Sequence, residues 1–314
     1  MKRVLIFILI ISLLVNGIFI FNNVKPTPTE VFAKKYPLLP TRLANEVHND
    51  ILLDFAPLRK DVREYLEELG VPYSFYFEYL PTGTSIRDGD NNELVGASLM
   101  KTPIVMDLYK ASEMGRINLD SKITVKSDDI SPDRLYGNPE DLKVGDTITL
   151  REAAKTTLTK SDNTAAYLIF RTIDKILDNN EKSLEKLDIE LENRETEEGG
   201  QYVLIGSRSY ASILKCLYLS CYLKPESSNA ILEDLTNSEE VNRIKAGVPD
   251  DIKVANKIGS FSQQTQSDCG IVYLPKRPYI LCIMLQLVNG VEDKFKDLSA
   301  MVWNYTKDIE SGIQ

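Results

Sequence analysis

The sequence is almost without histidine: His48 is the only one among its 314 residues. A Ser-His-Asp triad takes its general base from a histidine, and a multi-histidine zinc centre needs several of them. His48 lies far in sequence from every other candidate residue, and we interpret it as an exposed polar side chain. A nucleophilic serine in this chain would therefore need a lysine, or a carboxylate acting through water, as its base.

Paired-cysteine motifs and long basic runs are also missing. The four cysteines, Cys216, Cys221, Cys269 and Cys282, show no C-x-x-C spacing, which excludes the metal and redox motifs built on that pair. The formal net charge is −9, and the chain has no long Lys/Arg run. Because nucleic-acid backbones are bound by clustered positive charge, the sequence predicts no nucleic-acid partner.

The cysteine positions predict free thiols rather than disulfides. Cys216 and Cys221 lie five residues apart in a predicted helix, so their Cβ vectors should diverge. The other two cysteines flank a predicted hairpin. If Leu274 pairs with Tyr279, that register places these two cysteines diagonally rather than opposite each other. We therefore expect four free, mostly buried thiols.

A hydrophobic run near the N-terminus points to a membrane. Lys2 and Arg3 precede Val4 to Phe21, an uncharged run of 18 residues. As a helix it would be about 27 Å long, close to the roughly 30 Å hydrocarbon core of a bilayer. A signal peptide can look similar, but no small-residue cleavage site follows. We expect residues 1–24 to be a transmembrane anchor or an uncleaved signal, with the positive flank in the cytoplasm.

The same segment predicts where the protein resides. The rest of the chain would be extracytoplasmic, at the cell surface or in the periplasm, and tied to the membrane through the N-terminal helix. Residues 25–50 contain four prolines and are predicted to form a linker. Residues 51–314 are predicted to form one folded domain, because 43% hydrophobic content over this length suffices for a core.

The order of predicted elements indicates an α+β fold. A helix is predicted between Ile51 and Gly70, where apolar residues recur at helical spacing. Later helices are predicted at Leu150 to Thr159, Ala165 to Ile176, Ser207 to Leu223, Asn229 to Ala246 and Val291 to about Ile309. Strands are predicted at Ser74 to Leu80, Ile123 to Val125, Lys253 to Ile258, Gly270 to Leu274 and Tyr279 to Val288. This order suits one antiparallel sheet built from both ends of the domain, with a helical insertion between them.

Ser98 and Lys101 form an S-x-x-K motif with a clear chemical meaning. If a helix begins near Ala97, residues three apart share a face, which brings the Lys101 amine toward the Ser98 hydroxyl. A buried lysine loses its proton more readily and can then act as a base. Taken alone the motif is weak, because it also occurs at Ser183 and Ser212, each followed by a lysine three residues later.

Two later motifs give the first one its context. Ser161-Asp162-Asn163 stands within KSDNTAAYLIF, and Lys257-Ile258-Gly259 follows IKAGVPDDIKVAN. The order S-x-x-K, S-D-N and K-T-G is the set found in penicillin-recognising serine enzymes. From about Tyr73 to Tyr305 the sequence resembles class A β-lactamases and their serine-hydrolase relatives.

The resemblance implies a role for each matching residue. Ser98 would be the acylated nucleophile, with Lys101 as its base or as part of a proton relay. Ser161 would pass the proton to the leaving nitrogen, since a hydroxyl can accept and donate at once. Asn163 would bind an amide carbonyl of the substrate, and Lys257 would attract its carboxylate.

The third motif also implies an oxyanion hole. The backbone N–H groups of Ser98 and Ser260 would supply it, with Gly259 as part of the same substrate-binding strand. Asp162 is expected to be structural, and Asn163 could alternatively serve only as a buried helix cap.

Two departures from the family pattern affect binding of the substrate carboxylate and hydrolysis of the acyl-enzyme. Ile258 stands where the family usually has threonine or serine, so a hydroxyl that helps to hold the substrate carboxylate is absent. Class A β-lactamases also carry a glutamate in a Glu-x-x-x-Asn loop that activates the deacylating water. The segment LDIELENRETEEGGQY contains glutamates, but none has asparagine four residues later. Glu197 is the candidate for this role, with Glu190 next, and a solvated acidic loop is the alternative.

These residues together predict a serine hydrolase of the class A β-lactamase fold that works through an acyl-enzyme on Ser98. Its substrate would be a β-lactam or a D-alanyl-D-alanine-like peptide. The alternatives are a D-Ala-D-Ala carboxypeptidase and a non-hydrolytic module that binds penicillin or senses the cell wall. We expect a monomer that needs no metal or organic cofactor.

Overall fold

A five-stranded antiparallel sheet with helices on both faces forms the centre of the protein. The computed structural model describes residues 28–40, 53–89, 92–130, 141–196, 200–261, 264–286 and 289–308. The predicted membrane segment, Val4 to Phe21, lies outside these residues. Within these described residues, no helix is both long and apolar enough to cross a bilayer.

The predicted helices and strands occur in the predicted order, together with several short elements that the sequence did not predict. The strands are β1 Tyr73–Tyr79, β2 Thr84–Asp88, β3 Leu94–Val95, β4 Lys122–Thr124, β5 Thr147–Thr149, β6 Glu192–Glu195, β7 Gln201–Ile205, β8 Val254–Phe261, β9 Thr265–Val272 and β10 Tyr279–Gln286. The α-helices are α1 Pro28–Lys35, α2 Ala56–Glu68, α3 Lys101–Glu113, α4 Leu150–Thr159, α5 Asn163–Ile173, α6 Ser183–Lys186, α7 Ser207–Leu219, α8 Pro225–Thr236 and α9 Val291–Asp308.

The main sheet combines both ends of the domain, in the order β2-β1-β10-β9-β8. Side chains alternate between its two faces along each strand. On one face Phe75 and Phe77 of β1 pack with apolar side chains of α2 and α9. On the other face Tyr76 joins a larger core that includes most of the helical part. The predicted α+β fold, with its antiparallel sheet and helical insertion, is therefore confirmed.

The helical part holds the first two predicted motifs, at the starts of α3 and α5. Thr149 and Glu152 form a reciprocal capping box at the start of α4, so this helix begins where its backbone donors are satisfied. Asp162 caps α5 by accepting a hydrogen bond from the Ala165 N–H at 2.8 Å. The structural role predicted for Asp162 agrees with this geometry.

The acidic segment before residue 200 forms part of a second sheet. β6 pairs with β7, and β7 pairs with β3, which leads directly into the Ser98 motif. All four residues of β6 are exposed. A solvated acidic loop was the alternative considered for this segment, and an exposed hairpin strand is what the structure describes.

The region predicted as a linker, residues 25–50, contacts the domain in its described part. Tyr36, Leu38 and Leu39, which follow α1, are buried in the larger core. The Leu38 N–H also donates to Asn229 Oδ1 on α8 at 3.3 Å. Burial of three apolar side chains stabilises this contact, so this part of the predicted linker packs against the domain.

The prediction of four free thiols is wrong at the first cysteine pair. Cys216 and Cys221 are disulfide-bonded, with their Cα atoms 5.0 Å apart. The helix that we predicted to run to Leu223 ends at Leu219, and Ser220 adopts a left-handed conformation with φ of +50°. The chain therefore turns back, and the N–H of Cys221 donates to the carbonyl of Cys216 at 3.0 Å.

The second cysteine pair is also bonded, because the predicted strand register is wrong. Tyr279 pairs with Val272 rather than with Leu274, a shift of two residues. Cys269 and Cys282 consequently stand directly opposite each other on β9 and β10 and form a disulfide. The turn between the two strands is longer than the short hairpin that the prolines had suggested.

The two disulfides lead to a measurable expectation. Denatured protein kept without reductant should bind no equivalent of a thiol reagent, and four equivalents after reduction, since all four cysteines are bonded. Titration with a chromogenic disulfide reagent would check both numbers. A count of two before reduction would mean that one of the described pairs does not form.

Candidate active site

Ser98 lies in a tight turn at the start of the most buried helix. A 3₁₀ turn, Ala97–Met100, leads without a break into α3. Ala97 has φ of +45°, a left-handed conformation that is uncommon for a residue with a Cβ. Such strain persists only where the surroundings enforce it, and it is frequent at functional sites. The turn places the half-buried Ser98 about one helical turn before Lys101.

Lys101 connects the first motif with the second. Its ammonium donates to the Ser161 carbonyl oxygen at 2.5 Å, to Ser161 Oγ at 3.1 Å and to Asn163 Oδ1 at 2.7 Å. An ammonium carries three protons, so these three acceptors match its donor capacity. The S-x-x-K and S-D-N motifs, more than fifty residues apart in sequence, therefore meet at one nitrogen.

Burial brings Lys101 close to neutrality at physiological pH. Its side chain is 6% exposed. Desolvation, reinforced by the positive charge of Lys257, lowers the pKa of Lys101 to about 7, while Asp141 and Asp162 oppose this shift. The neutral amine, which is able to accept a proton, is therefore accessible near pH 7.

The second motif forms a strained turn in front of α5. Ser161 has φ of +58°, so this turn also contains a left-handed residue with a side chain. Asn163 donates through Nδ2 to Asp141 Oδ2 at 3.2 Å, which orients its amide oxygen toward Lys101. Asp162 additionally accepts from the Leu142 N–H at 2.8 Å. Hydrogen bonds on both sides therefore hold Ser161 and Asn163 at the Lys101 amine.

The third motif lies on β8, an edge strand of the main sheet. Lys257 is completely buried, and among the described residues its ammonium has no hydrogen-bond partner. Desolvation lowers the pKa of Lys257 to about 8. A buried cation without a partner is costly, so an anion that reached it would be bound favourably.

Gly259 brings β8 against the nucleophile turn. A Cβ at this position would lie 2.9 Å from the Gly96 carbonyl oxygen and 3.2 Å from Leu99 Cγ. No larger residue could be accommodated without displacing that turn. The close approach sets Ser260, the next residue of the strand, beside the segment that carries Ser98.

Arg243 is a candidate binding residue that the sequence reasoning missed. Its guanidinium is buried and donates to the Ser267 carbonyl at 2.8 Å and to Ser260 Oγ at 3.2 Å. This cation lies beside β8 and adds positive potential near Lys257, although the Glu292 carboxylate lies 3.7 Å from the guanidinium. The sequence carried no signal for it, because Arg243 was predicted to lie within a helix that in fact ends at Thr236.

The structure brings together all but one of the predicted site residues. Lys101, Ser161 and Asn163 are in direct contact, and the Lys257 strand lies against the Ser98 turn. Glu197 lies outside the described residues. The second candidate for the water-activating base, Glu190, is exposed to solvent.

Comparison with known proteins agrees with this geometry. The "Beta-lactamase enzyme family" model matches residues 57–306. A β-lactamase of Bacillus licheniformis is 29% identical over 190 residues, which are 57% of this chain and 60% of that protein. Beta-lactamase 3 of Bacillus cereus is 28% identical over 240 residues, or 73% of this chain and 72% of the relative. The alignment thus spans about three fifths of the first relative and somewhat more of the second.

Solved structures share the fold. The acyl-enzyme complex of a PBP-A mutant with penicillin G superimposes with a TM-score of 0.68 at 22% identity, covering 80% of this chain and 96% of the other. The match to the family model extends over most of the chain and contains all three motifs. This chain therefore belongs to the class A β-lactamase family of serine hydrolases.

Proposed function

We propose that this protein reacts with β-lactams and forms an acyl-enzyme on Ser98. The observation that carries the proposal is the Lys101 amine. Lys101 follows Ser98 by one helical turn, its amine contacts Ser161 and Asn163, and its pKa is about 7. A related fold, that of a PBP-A mutant, has been solved as an acyl-enzyme with penicillin G.

The acylation step would use Lys101 and Ser161, which are already in contact, together with Ser98 one helical turn before the lysine. Neutral Lys101 takes the Ser98 proton, directly or through Ser161, as the serine oxygen attacks the lactam carbonyl carbon. The carbonyl oxygen becomes negative and accepts hydrogen bonds from the N–H groups of Ser98 and Ser260. When the C–N bond breaks, Ser161 passes the proton to the leaving nitrogen. Serine is then esterified and the lactam ring is open.

Substrate binding would use the two cationic side chains at β8, Lys257 on the strand and Arg243 beside it. The carboxylate of a β-lactam, or of a D-alanyl-D-alanine-like peptide, is attracted by Lys257 and by the neighbouring Arg243 guanidinium. Asn163 would hold the amide carbonyl of the substrate side chain. Because Ile258 offers no hydroxyl, the carboxylate depends on the two cations more than it does in relatives with threonine at this position.

Deacylation requires a base that activates a water molecule. Glu197 remains our candidate for activating the water. The other described glutamates of this segment, Glu190, Glu192 and Glu195, are all exposed, and an exposed carboxylate is poorly held for positioning a water. We therefore expect the Ser98 adduct to persist far longer than in an efficient β-lactamase. The alternative, a penicillin-binding module that acylates without turnover, is favoured by this same exposed hairpin.

Turnover and mass together test the proposal. The protein is incubated with the chromogenic β-lactam nitrocefin, and steady-state hydrolysis is compared with intact mass recorded over time. An adduct of one β-lactam per chain that outlasts the assay supports slow deacylation. Sustained rapid hydrolysis contradicts only the deacylation half, and Glu197→Gln and Glu190→Gln would then show which carboxylate activates water. The absence of any adduct or turnover refutes the proposal.

Attachment to the membrane from outside the cytoplasm is part of the same proposal. It is supported by the apolar run from Val4 to Phe21 and by the two disulfides, since disulfides persist in oxidising compartments. The native protein should remain in the membrane fraction with its N-terminus intact and should become digestible by protease added outside the cell. A mature chain whose sequence begins after residue 22 contradicts the anchor.

A further inference from the structure

Asp141 contacts the second motif although it lies 22 residues before Asn163 in the sequence. Its Oδ2 accepts a hydrogen bond from Asn163 Nδ2 at 3.2 Å. The backbone beside it is also fixed, because the Leu142 N–H donates to Asp162 Oδ2 at 2.8 Å. Asp162 is buried, and its other oxygen caps α5. One carboxylate therefore holds both the helix that begins at Asn163 and the chain next to Asp141.

The Asn163 amide can face Lys101 with either its oxygen or its nitrogen. An ammonium group can only donate, so protonated Lys101 by itself selects the oxygen, to which it donates at 2.7 Å. A neutral amine also has a lone pair, which can accept a hydrogen bond from Asn163 Nδ2 if the amide turns over. The neutral form of Lys101, which would take the Ser98 proton, therefore does not fix the amide.

Only one orientation of the amide leaves the lone pair of Lys101 able to act as a base. A neutral lysine amine keeps two hydrogens. The Ser161 carbonyl oxygen and Asn163 Oδ1 contact this amine and can only accept, so they bind the two hydrogens. The lone pair then remains for Ser161 Oγ, 3.1 Å from the nitrogen, whose hydroxyl can donate. With the amide turned over, Asn163 Nδ2 would occupy the lone pair and block the base.

We propose that Asp141 is a positioning residue that keeps the Asn163 oxygen toward Lys101 and so preserves the lysine as a base. An ionised carboxylate can only accept, so it binds the amide nitrogen whether Lys101 is protonated or neutral. The proposal rests on the proposed function, because the proton concerned is the one that Ser98 loses during acylation. Asp141 acts through Asn163 and takes no proton itself.

Asp141 also acts on Lys101 through its charge. Among the described residues, the charged groups that act on this lysine from neighbouring elements are Lys257 on β8, which lowers its pKa, and Asp141 and Asp162, which raise it. Removal of the Asp141 carboxylate should therefore lower the pKa of Lys101 further and move the pH profile of acylation to lower pH. A residue that only supported the fold would change the rate without moving the profile.

Stopped-flow labelling of Ser98 by a penicillin, from pH 6 to pH 8, tests the proposal. Asp141→Ala removes both the acceptor and the charge, and we expect acylation about tenfold slower at pH 8, the effect of losing one charge-assisted hydrogen bond. At pH 6 the difference from the wild type should be smaller, because the profile has moved to lower pH. Asp141→Asn removes the charge but keeps an acceptor for Asn163, so it should move the profile and slow the pH 8 rate less.

Asp146 provides a matched control in the same segment. It is exposed, and its Oδ2 accepts from the Lys143 N–H at 2.8 Å. Asp146→Asn should change neither the rate nor the profile. A double-mutant cycle identifies the route, since Asp141→Ala should slow the pH 8 rate by less than about twofold once Asn163→Ala has removed the amide. Equal losses in both backgrounds, an unmoved profile, or the same changes in Asp146→Asn would overturn the proposal.

Titration of Lys101 by NMR tests the coupling without any β-lactam. In protein labelled with carbon-13 at the lysine side chains, the signal that Lys101→Ala removes belongs to Lys101. This signal should titrate at lower pH in Asp141→Ala and Asp141→Asn than in the wild type, and an unchanged midpoint in both variants overturns the proposal. A wild-type protein that no β-lactam labels would refute the proposed function and the role in acylation with it, whereas the titration would still decide whether Asp141 acts on Lys101.

Discussion

Replacement of Ser98 with alanine should abolish covalent labelling by penicillin and reduce any turnover to background. The serine oxygen is the atom that would bond to the lactam carbon, and no other group can replace it at the start of α3. In other serine hydrolases the loss of the nucleophile lowers kcat by roughly a millionfold. Intact mass and peptide mapping would locate the adduct in the wild-type protein and its absence in Ser98→Ala.

The chain offers a matched control for this substitution. Ser212 also begins an S-x-x-K sequence, but it lies on the exposed surface of α7, where its hydroxyl donates to the Arg208 carbonyl at 3.1 Å. Ser212→Ala should label like the wild type. Because the Ser98 side chain is only half-buried, Ser98→Ala should change the free energy of unfolding by no more than about 0.5 kcal/mol. Labelling at any residue other than Ser98 would contradict the assignment.

Replacement of Lys101 with alanine should slow acylation by about a hundredfold or more, the contribution expected of a general base. In the wild type the rate should rise with pH, because the reactive form of Lys101 is the neutral amine and its pKa is about 7. The neutral fraction grows roughly tenfold between pH 6 and pH 8. Stopped-flow labelling across this range would show the rise, and Lys101→Ala should lose it.

Two further variants separate a chemical role of Lys101 from a structural one. Lys186, the lysine of another S-x-x-K sequence, is exposed, and Lys186→Ala should retain both rate and pH profile. Lys257→Gln removes the positive charge that helps to lower the pKa of Lys101, so the midpoint of the profile should move to higher pH. An acylation rate that is independent of pH from 6 to 8 would exclude Lys101 as the base.

Local patterns predicted most of the fold because they depend on neighbouring residues. The helical spacing before Gly70 and the alternation in β1 are properties of short segments, and both elements form where expected. The ends of elements depend on single backbone conformations that composition does not reveal. Ser220 turns left-handed after α7 without the glycine that usually signals such a turn, and this one residue decided the first disulfide.

Long-range arrangement was harder to predict for a physical reason. The register of β9 and β10 depends on the length of the turn between them, and an error of two residues preserves which face each side chain occupies. The hydrophobic pattern therefore fitted both registers equally well, and only one of them places Cys269 opposite Cys282. The buried position of Arg243 likewise depends on contacts with β8 that no local pattern encodes.

The pairing of β1 with β10 has a consequence for the order in which the protein can fold. Tyr73 stands opposite Leu285, so strands separated by some two hundred residues must meet before the sheet is continuous. Contacts this distant in sequence slow folding, because the chain loses the entropy of closing a long loop before these contacts can form. During synthesis β1 and β2 emerge early, yet their partner is the last strand made. The two faces of the sheet therefore stay incomplete, and exposed to aggregation, until the C-terminal residues are available.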